Sequence, residues 1–166
     1  VVAFPRGQGW GPDWNVIRSL FKFGLPTGTL HSVWEQESTF GANWVSPAGA
    51  RGHFGFMPAT RGEVMAKLHL DPWSKDPRVA ATCCGYYLKG LLDRFDGNMQ
   101  QALSAYNAGG GRVSKAIRKN GENWLKSLKP ETQAYAKEIL ERIGYEDRLA
   151  YQDQKDSKQG TRSEEH

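Results

Sequence analysis

Apolar side chains recur along the chain at spacings of three and four residues, in separate stretches bounded by capping or breaking residues, which predicts a succession of short helices. Asp13 can cap a first helix carrying Trp14, Ile17, Leu20 and Phe21, ended by Gly24. A second starts near Thr27 or Thr29 and runs to about Ser38. Pro58 opens a third over Ala59 to Leu68. Asp76-Pro77 starts a fourth, which reaches Phe95 before the Asp96-Gly97 turn. Gln100 to Asn107 forms another, stopped by the run Gly109-Gly110-Gly111, and Val113 to Lys119 a short one. Pro130 opens the last, with Tyr135, Ile139, Leu140 and Ile143 on one face. Phe40 to Met57 lacks this period and carries four glycines, so it reads as loops or a small hairpin. The expected fold is mainly α with at most one small β-hairpin. Residues 1–12 read as an irregular arm, 13–144 as the folded domain, and 145–166 as a polar, charged extension or linker.

Length agrees with one domain: 166 residues can bury one core but not two comfortable ones. No apolar run approaches the roughly 20 residues of a membrane span. The two cysteines, Cys83 and Cys84, are neighbours, and bridging them would strain the backbone, so they read as buried thiols. Net charge is +4; residues 145–166 hold six acids and four bases, leaving +6 on residues 1–144. A basic body suits a polyanionic partner, nucleic acid or a carboxylate-bearing bacterial wall. The bases read as scattered, with no basic helix and no nucleic-acid motif, which disfavours nucleic acid.

The second helix holds the most informative side chain. Leu30, Val33, Trp34 and Glu37 fall at i, i+3, i+4 and i+7, which puts Glu37 on the apolar stripe and Glu35 on the opposite, solvated side. Lost hydration and the negative end of the helix dipole both disfavour the anion, raising the pKa towards what a general acid needs. A buried glutamate that only bonds a neighbouring helix would show the same spacing.

Other blocks decide between these readings. Glu37-Ser38-Thr39-Phe40 is followed by Ser46-Pro47-Ala48-Gly49-Ala50-Arg51-Gly52, then by Phe56-Met57-Pro58-Ala59-Thr60. Ala102-Leu103-Ser104-Ala105-Tyr106-Asn107-Ala108-Gly109 comes later, and Glu131-Thr132 with Tyr135 comes last. In this order the chain resembles the soluble lytic transglycosylase family, relatives of goose-type lysozyme, over about residues 13–144. The resemblance implies a lysozyme-like fold with Glu37 as catalytic acid and base. Ser38 would help place substrate, Phe56 and Met57 would contribute to its binding, Tyr106 would orient the carboxyl group and Asn107 would meet the sugar. Tyr135 would form a wall from the last helix. The implied reaction cleaves the β-1,4 bond between N-acetylmuramic acid and N-acetylglucosamine in peptidoglycan, closing a 1,6-anhydro ring without water. No cofactor and no metal is required, and His31, His53, His69 and His166 show no ligand spacing.

One departure stands out. Where the family carries Gln, this chain has Gly55, which reads as a lost cleft amide; restoring Gln is expected to alter affinity modestly and leave turnover of the same order. His53 reads as a surface or cleft-rim contact, while Trp44, Phe54 and Phe56 are candidates for stacking on sugar rings, and Trp14 and Trp34 for the core. Asp71, Asp76, Asp93 and Asp96 sit near helix ends or turns, where capping explains them, so no second catalytic carboxylate stands out. Two other outcomes stay open: a lysozyme-type hydrolase of the same bond, and a non-catalytic wall-binding or structural domain. The partners expected are peptidoglycan glycan strands in the periplasm or cell wall, with no nucleic acid. The absence of disulfides, the charged extension and the lack of a visible export signal favour a phage virion component, within a larger parent chain or assembly, over an exported bacterial protein.

Overall fold

In the computed structural model, residues 23–26 and 28–144 are described. The expected helix after Asp13, the arm at 1–12 and the extension at 145–166 lie outside them, except that Gly24 has the left-handed φ of 73° suited to a helix stop.

Helix α1, Thr29–Ser38, ends on Thr39 in the left-handed region, with φ 50°. Helix α2, Pro58–Leu68, opens on its proline, where the missing N–H costs nothing. Helix α3, Pro77–Arg94, is capped by Asp76, whose carboxylate accepts from the Arg78 N–H at 2.9 Å. Helix α4, Met99–Ala108, is capped likewise by Asn98, which accepts from the Gln101 N–H at 3.0 Å. Helix α5, Gly110–Asn120, leads through short 3-10 turns at Gly121–Asn123 and Leu125–Ser127 to helix α6 over residues 130–144.

The glycine run corrects an expectation. It does not stop one helix well before the next; Gly109 alone turns the corner at φ 98°, ψ 139°, a conformation that needs glycine. Gly110 and Gly111 already belong to α5. The stretch 40–57 has no sheet, only isolated bridges pairing Arg51 with Val45 and with Phe56.

Helix α3 forms the spine. Ala80, Ala81, Cys83, Cys84, Leu88, Leu91 and Leu92 are buried along it, and the small members let other elements approach closely. Both cysteines are free and buried. Around α3 the core gathers Val33 and Trp34 from α1, Phe54 and Phe56 from the loop, Leu103 from α4, Val113 from α5 and Ile139 from α6. No helix among the described residues is long and apolar enough to cross a membrane.

Candidate active site

Glu37 occupies the last turn of α1, on the stripe whose other members, Leu30, Val33 and Trp34, are buried. The segment His53–Gly55 is drawn against that turn from three sides. The Ser38 hydroxyl donates to the His53 carbonyl at 2.6 Å and accepts from the Gly41 N–H at 2.8 Å. The Trp34 indole N–H donates to His53 Nδ1 at 3.1 Å. The Tyr106 hydroxyl, arriving from α4, donates to the Phe54 carbonyl at 2.7 Å.

Indole nitrogen can only donate, so His53 Nδ1 must be the unprotonated nitrogen. Nε2 then carries the proton and donates to the Lys75 carbonyl at 2.8 Å. Burial pushes the His53 pKa below its usual 6.5, with this bond opposing the fall and the nearby Lys75 charge adding to it. With 2% exposure, His53 is a structural tie, not the surface or rim contact expected from the sequence.

The clamped segment brings Gly55 under the Glu37 side chain. Gly55 has φ +64°, and a Cβ there would overlap Glu37 Oε2 and lie 2.8 Å from Cδ. Reading Gly55 as a lost amide is therefore corrected: the catalytic candidate's own carboxyl fills the space where a side chain would begin. Gln cannot be restored there without displacing Glu37 or the backbone.

The carboxyl is short of partners. Part of the Glu37 side chain keeps an accessible face, but desolvation of its head pushes the pKa from 4.5 up to about 7, with Tyr135 opposing the rise and the Glu131 charge adding to it. The Tyr135 hydroxyl is buried and meets no partner in hydrogen-bonding geometry, yet lies near enough to bias the Glu37 proton. Burial pushes the Cys84 thiol pKa up, with Tyr106 opposing the rise and the Glu37 charge adding to it, so the thiol stays protonated. Tyr106 and Tyr135 are raised for the same reason. Among the described residues, no group of three His, Cys, Asp or Glu side chains could hold a metal ion.

The other sequence candidates divide. Asn107, half-buried at the end of α4, accepts from the Thr132 hydroxyl at 2.7 Å, which ties α4 to α6. Tyr135 stands on α6 and is 5% exposed. Met57 is exposed at the start of α2. Ser38 is not available for substrate, because it is 1% exposed and its hydroxyl is engaged by backbone on both sides. Phe56 is also corrected: at 2% exposure, against Tyr87 and Tyr106, it is core and offers no face to a ligand. Phe54 is fully buried. Of the stacking candidates only Trp44 keeps an accessible face, partly covered by Lys75 with Nζ 3.6 Å from the ring centre.

Glu131 is the residue whose role the sequence reading did not assign. It is exposed on α6 and acts on Glu37 through its charge. Its position four residues before Tyr135, hence on the same helical face, was the available signal. A groove of about 470 Å³ between α2 and α3, lined by Val64, Tyr86, Tyr87 and Leu91, contains neither Glu37 nor Glu131.

Residues 15–128 match the family described as "Transglycosylase SLT domain". Among curated proteins the chain is similar to membrane-bound lytic murein transglycosylase D of Escherichia coli (strain K12), 31% identical over 111 residues, covering 63% of this chain and 25% of that protein. It is 28% identical over 127 residues to the soluble lytic murein transglycosylase of the same strain, covering 70% of this chain and 20% of that protein. The chain thus spans a quarter or less of the length of these relatives. Among solved structures, an inactive glutamate-to-glutamine mutant of lytic transglycosylase Slt from Pseudomonas aeruginosa superposes with a TM-score of 0.69 at 26% identity, covering 85% of this chain and 25% of that one.

Proposed function

The chain belongs to the Transglycosylase SLT domain family, and from that premise we propose that it is a peptidoglycan lytic transglycosylase in which Glu37 is both acid and base. The observation carrying this is the desolvated Glu37 carboxyl, with a pKa of about 7, open on one face and flanked by the Tyr135 phenol, whose hydroxyl meets no partner in bonding geometry. A carboxyl protonated near neutral pH can donate a proton, and one without a locked partner can take it back.

In the proposed reaction Glu37 protonates the oxygen between N-acetylmuramic acid and N-acetylglucosamine as the C1–O bond breaks, with the substrate's acetamido group assisting. The carboxylate then takes the proton from the muramic C6 hydroxyl as O6 bonds to C1. The ring closes as a 1,6-anhydro sugar, Glu37 is again protonated, and no water is consumed. Tyr135 biases the proton, while Tyr106 acts one step removed by holding the Phe54 carbonyl. The inactivity of a glutamate-to-glutamine form of the Pseudomonas neighbour supports an essential glutamate in such enzymes.

Glu131 favours a second reading. A carboxylate near the acid could activate water and yield a hydrolase. Mass spectrometry of digested peptidoglycan separates the two: transglycosylation leaves anhydro ends one water lighter than the reducing ends of hydrolysis. Reducing ends alone would overturn the proposal. A purely wall-binding role has no use for a carboxyl whose pKa is raised to about 7. The proposed setting is a phage virion that opens the wall during genome delivery. Its support is compositional, since both cysteines are free thiols. Detection of the chain in purified phage particles would support that setting, and detection only in a bacterial periplasm would reject it.

A further inference from the structure

The charge of the described residues is segregated. Residues 28–108 hold seven bases and seven acids. Residues 109–130 hold six bases, Arg112, Lys115, Arg118, Lys119, Lys126 and Lys129, against the single acid Glu122. The bases are therefore not scattered, as the sequence reading had it, and α5 is a basic helix. All six side chains are exposed, and none makes an ion pair with a described residue. On α5, Arg112, Lys115 and Lys119 recur at i, i+3 and i+7, away from the face on which Val113 and Ala116 are buried.

This excursion begins and ends at the site. Asn107 stands just before it and Glu131 just after, and the Thr132 hydroxyl bonded to Asn107 at 2.7 Å closes its base. A helix rises about 1.5 Å per residue, which puts Lys119 roughly 20 Å from Asn107 at most and Arg112 much nearer. An extended peptide of five residues spans about 17 Å. Peptidoglycan carries short, carboxylate-bearing stem peptides on the muramic sugars next to the bond to be cleaved.

We propose that residues 109–130 form a docking surface for the stem-peptide carboxylates of the strand held at Glu37. The inference rests on the proposed substrate, and the surface matches it in sign, reach and position. Exposed cations contribute little singly, but several of one sign raise local ligand concentration and speed encounter. The surface therefore acts on binding and KM, while the chemical step stays with Glu37.

The test is cosedimentation of the Glu37→Gln protein with purified sacculi free of phosphodiester polymers, so that affinity is read without cleavage. The sacculi are used native or with their carboxyls capped as glycinamides. The same measurement is made with Arg112→Glu, Lys115→Glu and Lys119→Glu combined, and with a separate pair, Lys126→Glu and Lys129→Glu, which keeps the test open should the triple variant fail to fold. Capping is expected to weaken binding about tenfold, a scale set by exposed charges acting together. The triple variant should lose about as much on native sacculi and nothing further on capped ones. In the cleaving protein the same changes should raise KM about tenfold and leave kcat within about twofold. Unchanged affinity for native sacculi, or equal losses on native and capped sacculi, overturns the proposal. Loss of DNA binding with wall binding intact assigns the surface to nucleic acid and also overturns it. Failure of Glu37 as the acid would appear in kcat and leave the sedimentation result standing.

Discussion

His53 and Glu37 both adjoin one short loop, His53 within it and Glu37 over Gly55, and both are titratable groups desolvated by burial. His53 has each ring nitrogen fixed, one by the Trp34 indole and one by the Lys75 carbonyl. Glu37 has a glycine backbone beneath it, a phenol nearby that is not aligned to bond it, and a like charge beyond. Burial moves the first pKa down and the second up to about 7, in each case favouring the neutral form. Only the second group is free to change state. A buried ionisable group whose hydrogen bonds are all satisfied holds structure; one left unsatisfied next to open space is a candidate for chemistry.

The largest effect that tests this contrast is expected from Glu37→Gln. General acid catalysis is worth roughly 10² to 10⁴ in rate, and here the same group is also the base, so wall cleavage should fall by about 10³ or more. The fold should gain. The folded pKa is raised, so the unfolded chain loses this proton first, and the parent loses stability as pH climbs from 4.5 to about 7. The stability gap between variant and parent should open over that window, up to about 3 kcal/mol, and stay level above it. Melting curves at pH 4, 6 and 8 measure it.

Gly55→Ala should come next, with about a hundredfold loss of cleavage, because misplacing a catalytic group by an ångström costs on that order. Gly49→Ala is the control. Gly49 also has positive φ, at 94°, but a Cβ there meets nothing within 4 Å. Equal losses in the two variants would mean that backbone strain, and not displacement of the carboxyl, is responsible.

His53→Ala should break the other half of the contrast. It strands a buried indole N–H and a carbonyl and opens a cavity, at about 2 to 4 kcal/mol of stability. The molecules that remain folded should keep kcat within about tenfold, and a collapse of kcat without loss of melting temperature would make His53 a participant in the chemistry.

The two groups were unequally legible in the sequence for a physical reason. Glu37 announces itself locally, because its burial follows from Leu30, Val33 and Trp34 on its own helix. His53 depends on Trp34, 19 residues before it, and on Lys75, 22 residues after it, and no periodic pattern encodes such pairings. The same holds for Gly55, whose meaning appears only once the loop folds under α1. Proline and Asx signals placed helix starts, as Pro58 and Asp76 show. The corner at Gly109 eluded the pattern because three glycines in a row do not say which one turns. Phe54 and Phe56 looked like sugar platforms because a loop was expected to be exposed, whereas this loop drives both rings into the core. The charge segregation at 109–130 was readable all along, from a windowed count of bases against acids.

The smallest effect is expected at Tyr135. Its hydroxyl lowers the Glu37 pKa, so Tyr135→Phe should raise that pKa further and move the alkaline limb of the pH–rate profile upward by less than about one unit. Rate near neutrality should change only a few-fold, and stability should hold, because the lost hydroxyl is buried without a partner. A downward shift of the limb would show that Tyr135 stabilises the protonated acid.

Direct titration of the Glu37 carboxyl by carbon-13 NMR, assigned by its disappearance in Glu37→Gln and set beside the pH dependence of wall cleavage, tests the central claim most closely. A midpoint near 7, coinciding with the pH above which cleavage falls, is the predicted result. A midpoint near the ordinary 4.5, with cleavage persisting well above it, would contradict the assignment of Glu37 as the proton donor.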